Sequence, residues 1–385
     1  MSKLYISLLL TCAIPHLALC QTNIYMISAM DGELLMENGN TTNFWGYGWQ
    51  TQSQEIELPA PLLHFEEGEE VIMHMNNISP EAHTIHLHGM DVNQANDGVP
   101  QTSFQVMQNQ SGEYSFTATH PGTYLYHCHV TTTLHLTMGM YGMIVVDGPD
   151  NTFYAGGPGF NVEHEYLFSD LMVEVNDAPA LAYPFDDIYP DYFMVNGLQG
   201  TMITDDLNQH LSAHIGDSVA VRLGSMAYSL IKVKFPEGSN PVTYMSDGRI
   251  LPNALTVSEL EIYPGERFTT VFHPDASFSG NMEVEYYSML TKELIHTNLV
   301  PLQNMGVSVS ESQWSELLIF PNPASDVLHI QAPNQGNFAI FNAQGKWISS
   351  HRVQAGVQTL SVSHLSPGIY FISNGEGVNK TFVKW

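Results

Sequence analysis

Beyond residue 20 the chain contains one cysteine, Cys128, and it stands between His127 and His129 at the end of an alternating stretch that includes Tyr124 and Tyr126. A lone cysteine excludes any intramolecular disulfide there, so apolar cores alone must hold the fold. On a strand, neighbouring side chains point to opposite faces. Cys128 therefore looks away from both flanking histidines, and the fold has to give the two faces of this strand different surroundings. An unpaired cysteine is ordinarily a small, inert core residue; the histidines around this one argue for a ligand.

The rest of the chain is written in the same period. Val71, Met73 and Met75 alternate with Ile72 and His74, residues 143–146 form a short apolar run, and Gly, Pro, Asn and Asp separate such stretches throughout. No long helical periodicity interrupts them, so an all-β sandwich or barrel is expected. At 385 residues the chain is long for one domain. Punctuation by Asp147-Gly148-Pro149-Asp150 and by the Gly-rich residues 155–159 closes a first domain at residues 21–150. A second block of similar order follows over 151–305, a polar linker over 306–316, and a different β-rich unit over 317–385.

The first twenty residues read as a cleavable export signal. Lys3 precedes an apolar run over 4–19, with Ala18 and Cys20 before Gln21. Acylation of Cys20 is the rival reading, and Leu19 fits it poorly. No later segment is long and apolar enough to span a bilayer. The net charge is −28, and residues 21–150 hold fifteen Asp and Glu with no Lys or Arg. Such a field repels nucleic acid and anionic membrane and tolerates cations or basic partners.

Two histidine clusters carry the chemistry of the first domain. One is His83-Thr84-Ile85-His86-Leu87-His88-Gly89; the other is His127-Cys128-His129 with His135 and Met140. Two imidazoles, a thiolate and a weak thioether make the ligand set of a type 1 copper site. His83, Cys128 and His135 are the equatorial candidates and Met140 the axial one, with Met138 as the less suitable alternative. His86, His88, His127 and His129 remain, and they suit type 2/type 3 copper.

These two motifs resemble the cupredoxin domains of multicopper oxidases, over nearly all of residues 21–149. The resemblance implies that His83, His86 and His88, followed by His127 and His129, share one type 1 site and a type 2/type 3 cluster. It also implies a laccase-like activity: a small reducing substrate or metal ion gives up electrons one at a time, and dioxygen is reduced to water. Asp97-Gly98-Val99-Pro100 resembles a family segment whose acid assists proton delivery, which makes Asp97 either a proton relay or a turn residue. A copper nitrite reductase is the weaker enzymatic reading, because its pattern lacks counterparts of His86 and His129. The terminal unit, with Pro321-Asn322-Pro323, Leu365-Ser366-Pro367-Gly368-Ile369-Tyr370 and a basic end, resembles the C-terminal sorting domain of the type IX secretion system. It implies passage through the periplasm to the cell surface or the medium.

The second domain departs from the family. It contains no His-x-His pair, and His164, His210, His214, His273 and His296 are scattered. Half of a trinuclear cluster is thus missing. Two routes remain open from sequence: a homo-oligomer with first domains paired across a two-fold axis, or a non-enzymatic blue-copper carrier with an incomplete cluster.

Overall fold

The structure, a computed structural model, describes residues 21–51, 54–186, 188–304, 318–332, 336–342, 347–353, 356–373 and 379–385. The expected export signal and the expected linker lie outside the described residues. The chain divides into two compact units, Met1–Met305 and Gly306–Trp385.

The first part of the larger unit contains strands β1 (Gln21–Leu35), β2 (Thr41–Trp49), β3 (Ala60–Glu66), β4 (Glu70–Asn77), β5 (His86–His88), β6 (Ser111–Thr117), β7 (Gly122–His127) and β8 (Tyr141–Asp147). They build two four-stranded sheets, ordered β2-β1-β4-β6 and β3-β8-β7-β5. In the first sheet β4 and β6 keep the alternation expected of a sheet with one wet face, while β1 and β2 each include a run of consecutive buried residues. In β4, Val71, Met73 and Met75 are buried while their neighbours are only half-buried.

The second sheet is different, because β7 is buried at every position. Its even-numbered side chains, Tyr124 and Tyr126, join Cys128 in the core between the two sheets. Its odd-numbered Leu125 packs outward with Tyr141, Met143 and Val145 against Leu167 and Met226 of the following sandwich. Each such buried side chain contributes about 1.5–3 kcal/mol. The continuous apolar reading of β7 and β8 follows from cover on both faces.

The following sandwich comprises β9 (Val162–Leu171), β10 (Tyr192–Val195), β11 (Leu211–Ala213), β12 (Val219–Ser225), β13 (Leu230–Lys234), β14 (Val242–Ser246), β15 (Arg249–Leu255), β16 (Glu259–Ile262), β17 (Arg267–Phe272), β18 (Asn281–Tyr287) and β19 (Leu294–Asn304). Its sheets are ordered β10-β9-β12-β17-β14-β15 and β11-β19-β18-β13-β16. Polar contacts fasten the seam between the sandwiches. Thr123 and Thr269 share a hydroxyl hydrogen bond of 3.0 Å, and Arg267 Nε donates to the Thr123 carbonyl over 3.3 Å. At the seam edge His64 of β3 reaches Asp147 (3.2 Å) through Nδ1 and Glu165 of β9 (3.4 Å) through Nε2. Behind them the fully buried Arg222 pairs with Asp147 and Glu163.

The terminal unit holds a three-stranded and a four-stranded sheet among its described residues. Leu328, Ile330, Ile340, Ile372 and Phe382 fill its core.

Two predictions arise from these contacts. Hydrogen bonds to Asp147 and then Glu165 raise the His64 pKa from 6.5 to about 9. Its stabilisation is therefore complete below 6.5 and is lost as pH rises through about 9. Because His64 is 38% exposed, screening limits the effect to about 1 kcal/mol or less. Denaturant titrations should show this alkaline loss in the native chain and not in His64→Gln. Gly98 has φ +74°, and a Cβ there would lie 2.0 Å from the Ile85 carbonyl oxygen. Gly98→Ala should lower stability by about 1–3 kcal/mol, read as a reduced unfolding midpoint.

Candidate metal centre

Strand parity sorts the candidate ligands into two groups. β5 and β7 pair antiparallel with His86 opposite His127, Leu87 opposite Tyr126 and His88 opposite Leu125. Directly opposed residues point to the same face, so His86, His88 and His127 all look toward the seam. Cys128, one position further, turns back into the first core.

In that core His83, Cys128, His135 and Met140 are all fully buried. His83 is held by a two-way backbone bridge with Val106. A short helix, α1 (Thr132–Thr137), carries His135 back over the strand end. The loop closes on itself: the Met140 N–H donates to the His135 carbonyl (3.0 Å), and the Cys128 N–H donates to the Met140 carbonyl (3.1 Å). Cys128 Sγ lies 3.1 Å from His135 Nδ1 and 3.6 Å from His83 Nδ1. The two imidazole rings are 4.9 Å apart. Met138 is buried as well, and its carbonyl accepts from Trp45 N–H, whose ring stands edge-on to His135.

Burial keeps both imidazoles neutral. Desolvation, assisted by the neighbouring His135, lowers the His83 pKa to about 3, and desolvation lowers that of His135 to about 4. The same burial raises the Cys128 thiol, so the anion needs a positive partner. His83 Nε2 and His135 Nε2 have no hydrogen-bond partner. A Glu81 carboxylate oxygen lies 3.5 Å from His135 Nε2 without hydrogen-bond geometry, so it counts as an electrostatic neighbour only. Two neutral imidazoles whose Nδ1 atoms converge on one buried sulfur fit a soft metal such as copper.

The seam-facing group is looser. One ligand atom each from His86, His88 and His127 comes within 4.8 Å of the others. His129 stands nearby, its ring 5.2 Å from that of His86, while its Nδ1 contacts the Thr132 hydroxyl at 3.3 Å. Backbone carbonyls assign two tautomers, because a carbonyl only accepts. His86 Nδ1–H donates to the Asp97 carbonyl (2.7 Å) and His127 Nδ1–H to the Cys128 carbonyl (3.0 Å), which turns both Nε2 atoms away from these carbonyls and leaves that of neutral His127 with its lone pair. His88 Nδ1 lies 3.2 Å from His127 Nε2. Desolvation holds His127 neutral, with a pKa of about 3, and desolvation with Arg267 takes His88 to about 4. Asp97 touches His86 twice, since its carboxylate also lies 3.2 Å from Nδ1.

The four imidazoles line a cavity of about 620 Å³. Its far wall comes from the same chain: Asp170, Met226, Ala227, Tyr228, Pro264, Gly265 and Met289. Within one chain the imidazoles face this wall, and the pairing of first domains across a two-fold axis stays a proposal. The scattered histidines of the second sandwich are engaged elsewhere. His164 contacts the Ser212 carbonyl, His210 that of Thr204, and His296 the Asn298 side chain.

Sequence reasoning missed several residues around the sites. Tyr47 donates to the Thr84 carbonyl and Tyr114 accepts from Ile85 N–H, bracketing the backbone between His83 and His86. Arg267 beside His88 and Asp170 on the far wall come from distant strands. Tyr114 alternates with Phe116 on β6, a local signal of burial, whereas Tyr47 stands in a run buried from residue 44 to 48 and gives none.

Residues 40–151 match the family model described as multicopper oxidase, and residues 318–385 that of the secretion system C-terminal sorting domain. Copper resistance protein A of Escherichia coli is 32% identical over 130 residues, 33% of this chain and 20% of that protein. A copper-containing nitrite reductase of Neisseria meningitidis serogroup B is 23% identical over 213 residues, 53% of this chain and 50% of that one. The chain thus spans only a fifth to a half of these curated relatives. In fold it resembles the blue copper oxidase from Nitrosomonas europaea, with a TM-score of 0.57 and 22% identity, covering 69% of this chain and 79% of that one. Residues 40–151 thus carry a domain similar to those of multicopper oxidases, and residues 318–385 a sorting domain of the type IX secretion system, which directs export to the cell surface or the medium.

Proposed function

We propose that this protein is an exported copper-dependent oxidoreductase, with type 1 copper held by His83, Cys128, His135 and axial Met140, and type 2/type 3 copper at His86, His88, His127 and His129. The observation that carries this reading is the back-to-back arrangement of two donor sets on one strand. Cys128 belongs to one set, and the adjoining His127 and His129 belong to the other.

Bound copper would supply a one-electron acceptor in the core and a site for dioxygen reduction to water at the seam. The chain's own residues set the conditions. Burial of the first set excludes water and keeps its imidazoles neutral. The Asp97 carbonyl fixes the His86 tautomer, and its partly exposed carboxylate, 3.2 Å from the same nitrogen, suits a relay carrying protons from solvent. The short covalent path from Cys128 to either flanking histidine joins the two sites. The reducing substrate is a small molecule or a metal ion.

A second reading, a blue-copper electron carrier, is favoured by one observation: the far wall of the seam cavity brings no histidine to the four already there. Metal analysis combined with a size measurement separates the readings. More than one copper per monomeric chain supports the oxidoreductase. One copper per chain supports the carrier. Five coppers in a two-chain particle would restore a cluster shared between subunits.

Cys128→Ser is expected to abolish the intense thiolate-to-copper absorption and substrate oxidation together, while copper at the four histidines persists in the paramagnetic resonance spectrum. Unchanged colour in the folded variant would refute the assignment.

A further inference from the structure

The cavity at the seam is far larger than dioxygen chemistry needs. Its volume of about 620 Å³ lies in the range of small-molecule sites, whereas one water takes about 30 Å³ of the liquid. Its two walls also differ in chemistry. One side presents the imidazoles. The other presents the thioethers of Met226 and Met289 with Tyr228, and Leu136 closes the space from α1. Thioethers and a phenol ring favour the faces and edges of aromatic rings.

The one carboxylate on that wall does not make it polar. Asp170 is buried, and its two oxygens accept the backbone N–H groups of Tyr228 (2.7 Å) and Ser229 (2.9 Å). Its role is to hold the loop after β12 in place, which sets Met226 and Tyr228 against the cavity. Thr132, Thr133 and Thr137 of α1 also line the cavity, but the Thr132 hydroxyl contacts His129 Nδ1 (3.3 Å) and that of Thr137 donates to the Thr133 carbonyl (2.8 Å), so what remains is a mostly apolar cavity with imidazoles on one side.

We propose that this cavity binds a flat aromatic molecule of one or two rings, its polar head toward His86, His88, His127 and His129 and its ring body against Met226, Tyr228 and Met289. Access to the four-histidine site is then not confined to dioxygen and water. The inference rests on the proposed function only in that copper at the histidines would also engage the head. The apolar wall acts with or without metal.

The test uses the full chain, metal-free and copper-loaded, labelled with ¹³C at the methionine methyls and titrated with 2-naphthol. Ring currents should shift the Met226 and Met289 methyl signals saturably in the metal-free protein. Ala227→Phe, which enlarges a cavity-lining side chain that also packs in the second core, should weaken this binding about tenfold. Methyl signals that do not move, or an unchanged affinity in folded Ala227→Phe, would overturn the inference. Should that variant not fold, the native methyl titration decides alone. Copper content is read on the same samples. Normal copper loading without naphthol binding removes this inference and leaves the metal reading; naphthol binding without copper uptake does the reverse.

Discussion

Everything at the metal centre depends on β7 being buried on both faces while continuing into His127-Cys128-His129. A strand with one wet face would leave one of the two ligand groups in bulk solvent. Here the even face closes on Tyr124 and Tyr126 within the first sandwich, and the odd face closes on Leu167 and Met226 of the second. A slip of one residue would exchange the faces and put Cys128 at the seam. The register of β5 against β7, with His86 opposite His127, is therefore as important as the ligand residues themselves.

Burial also sets the protonation of these groups. Desolvation penalises charged imidazole, so His83, His88, His127 and His135 stand deprotonated well below their ordinary range. Burial acts in the opposite sense on function for the cysteine: it disfavours thiolate, and a bound cation supplies the compensation. A site of two neutral nitrogens and a latent anion is thus poised for a metal and poorly suited to stay charged without one.

The alternating strands, the break near residues 147–159, the distinct terminal unit and both histidine motifs were legible in the chain, because period-two patterning and ligand spacing are local properties. The convergence of His83 and His135 on Cys128 was legible too, as a grouping of residue types. The cavity was not. Its far wall draws on Asp170 at the end of β9, on residues 226–228 after β12 and on Gly265 before β17, positions far apart in sequence that meet because these three strands are neighbours in one sheet. Arg267 was not legible either, because its bond to the Thr123 carbonyl spans the seam and joins residues far apart in sequence.

By itself, then, the sequence determined that this protein is all-β, that one strand carries candidate ligands of opposite orientation, and that Cys128 and its neighbours have the donor chemistry copper favours. These follow from side-chain alternation and donor chemistry, which need no knowledge of distant contacts. Tertiary structure alone decided what the outward histidines face. The apolar outer faces of β7 and β8 had to be covered, and the chain's own second sandwich covers them. The four imidazoles consequently look into a cavity within one chain, with methionine and tyrosine across from them in place of further histidines.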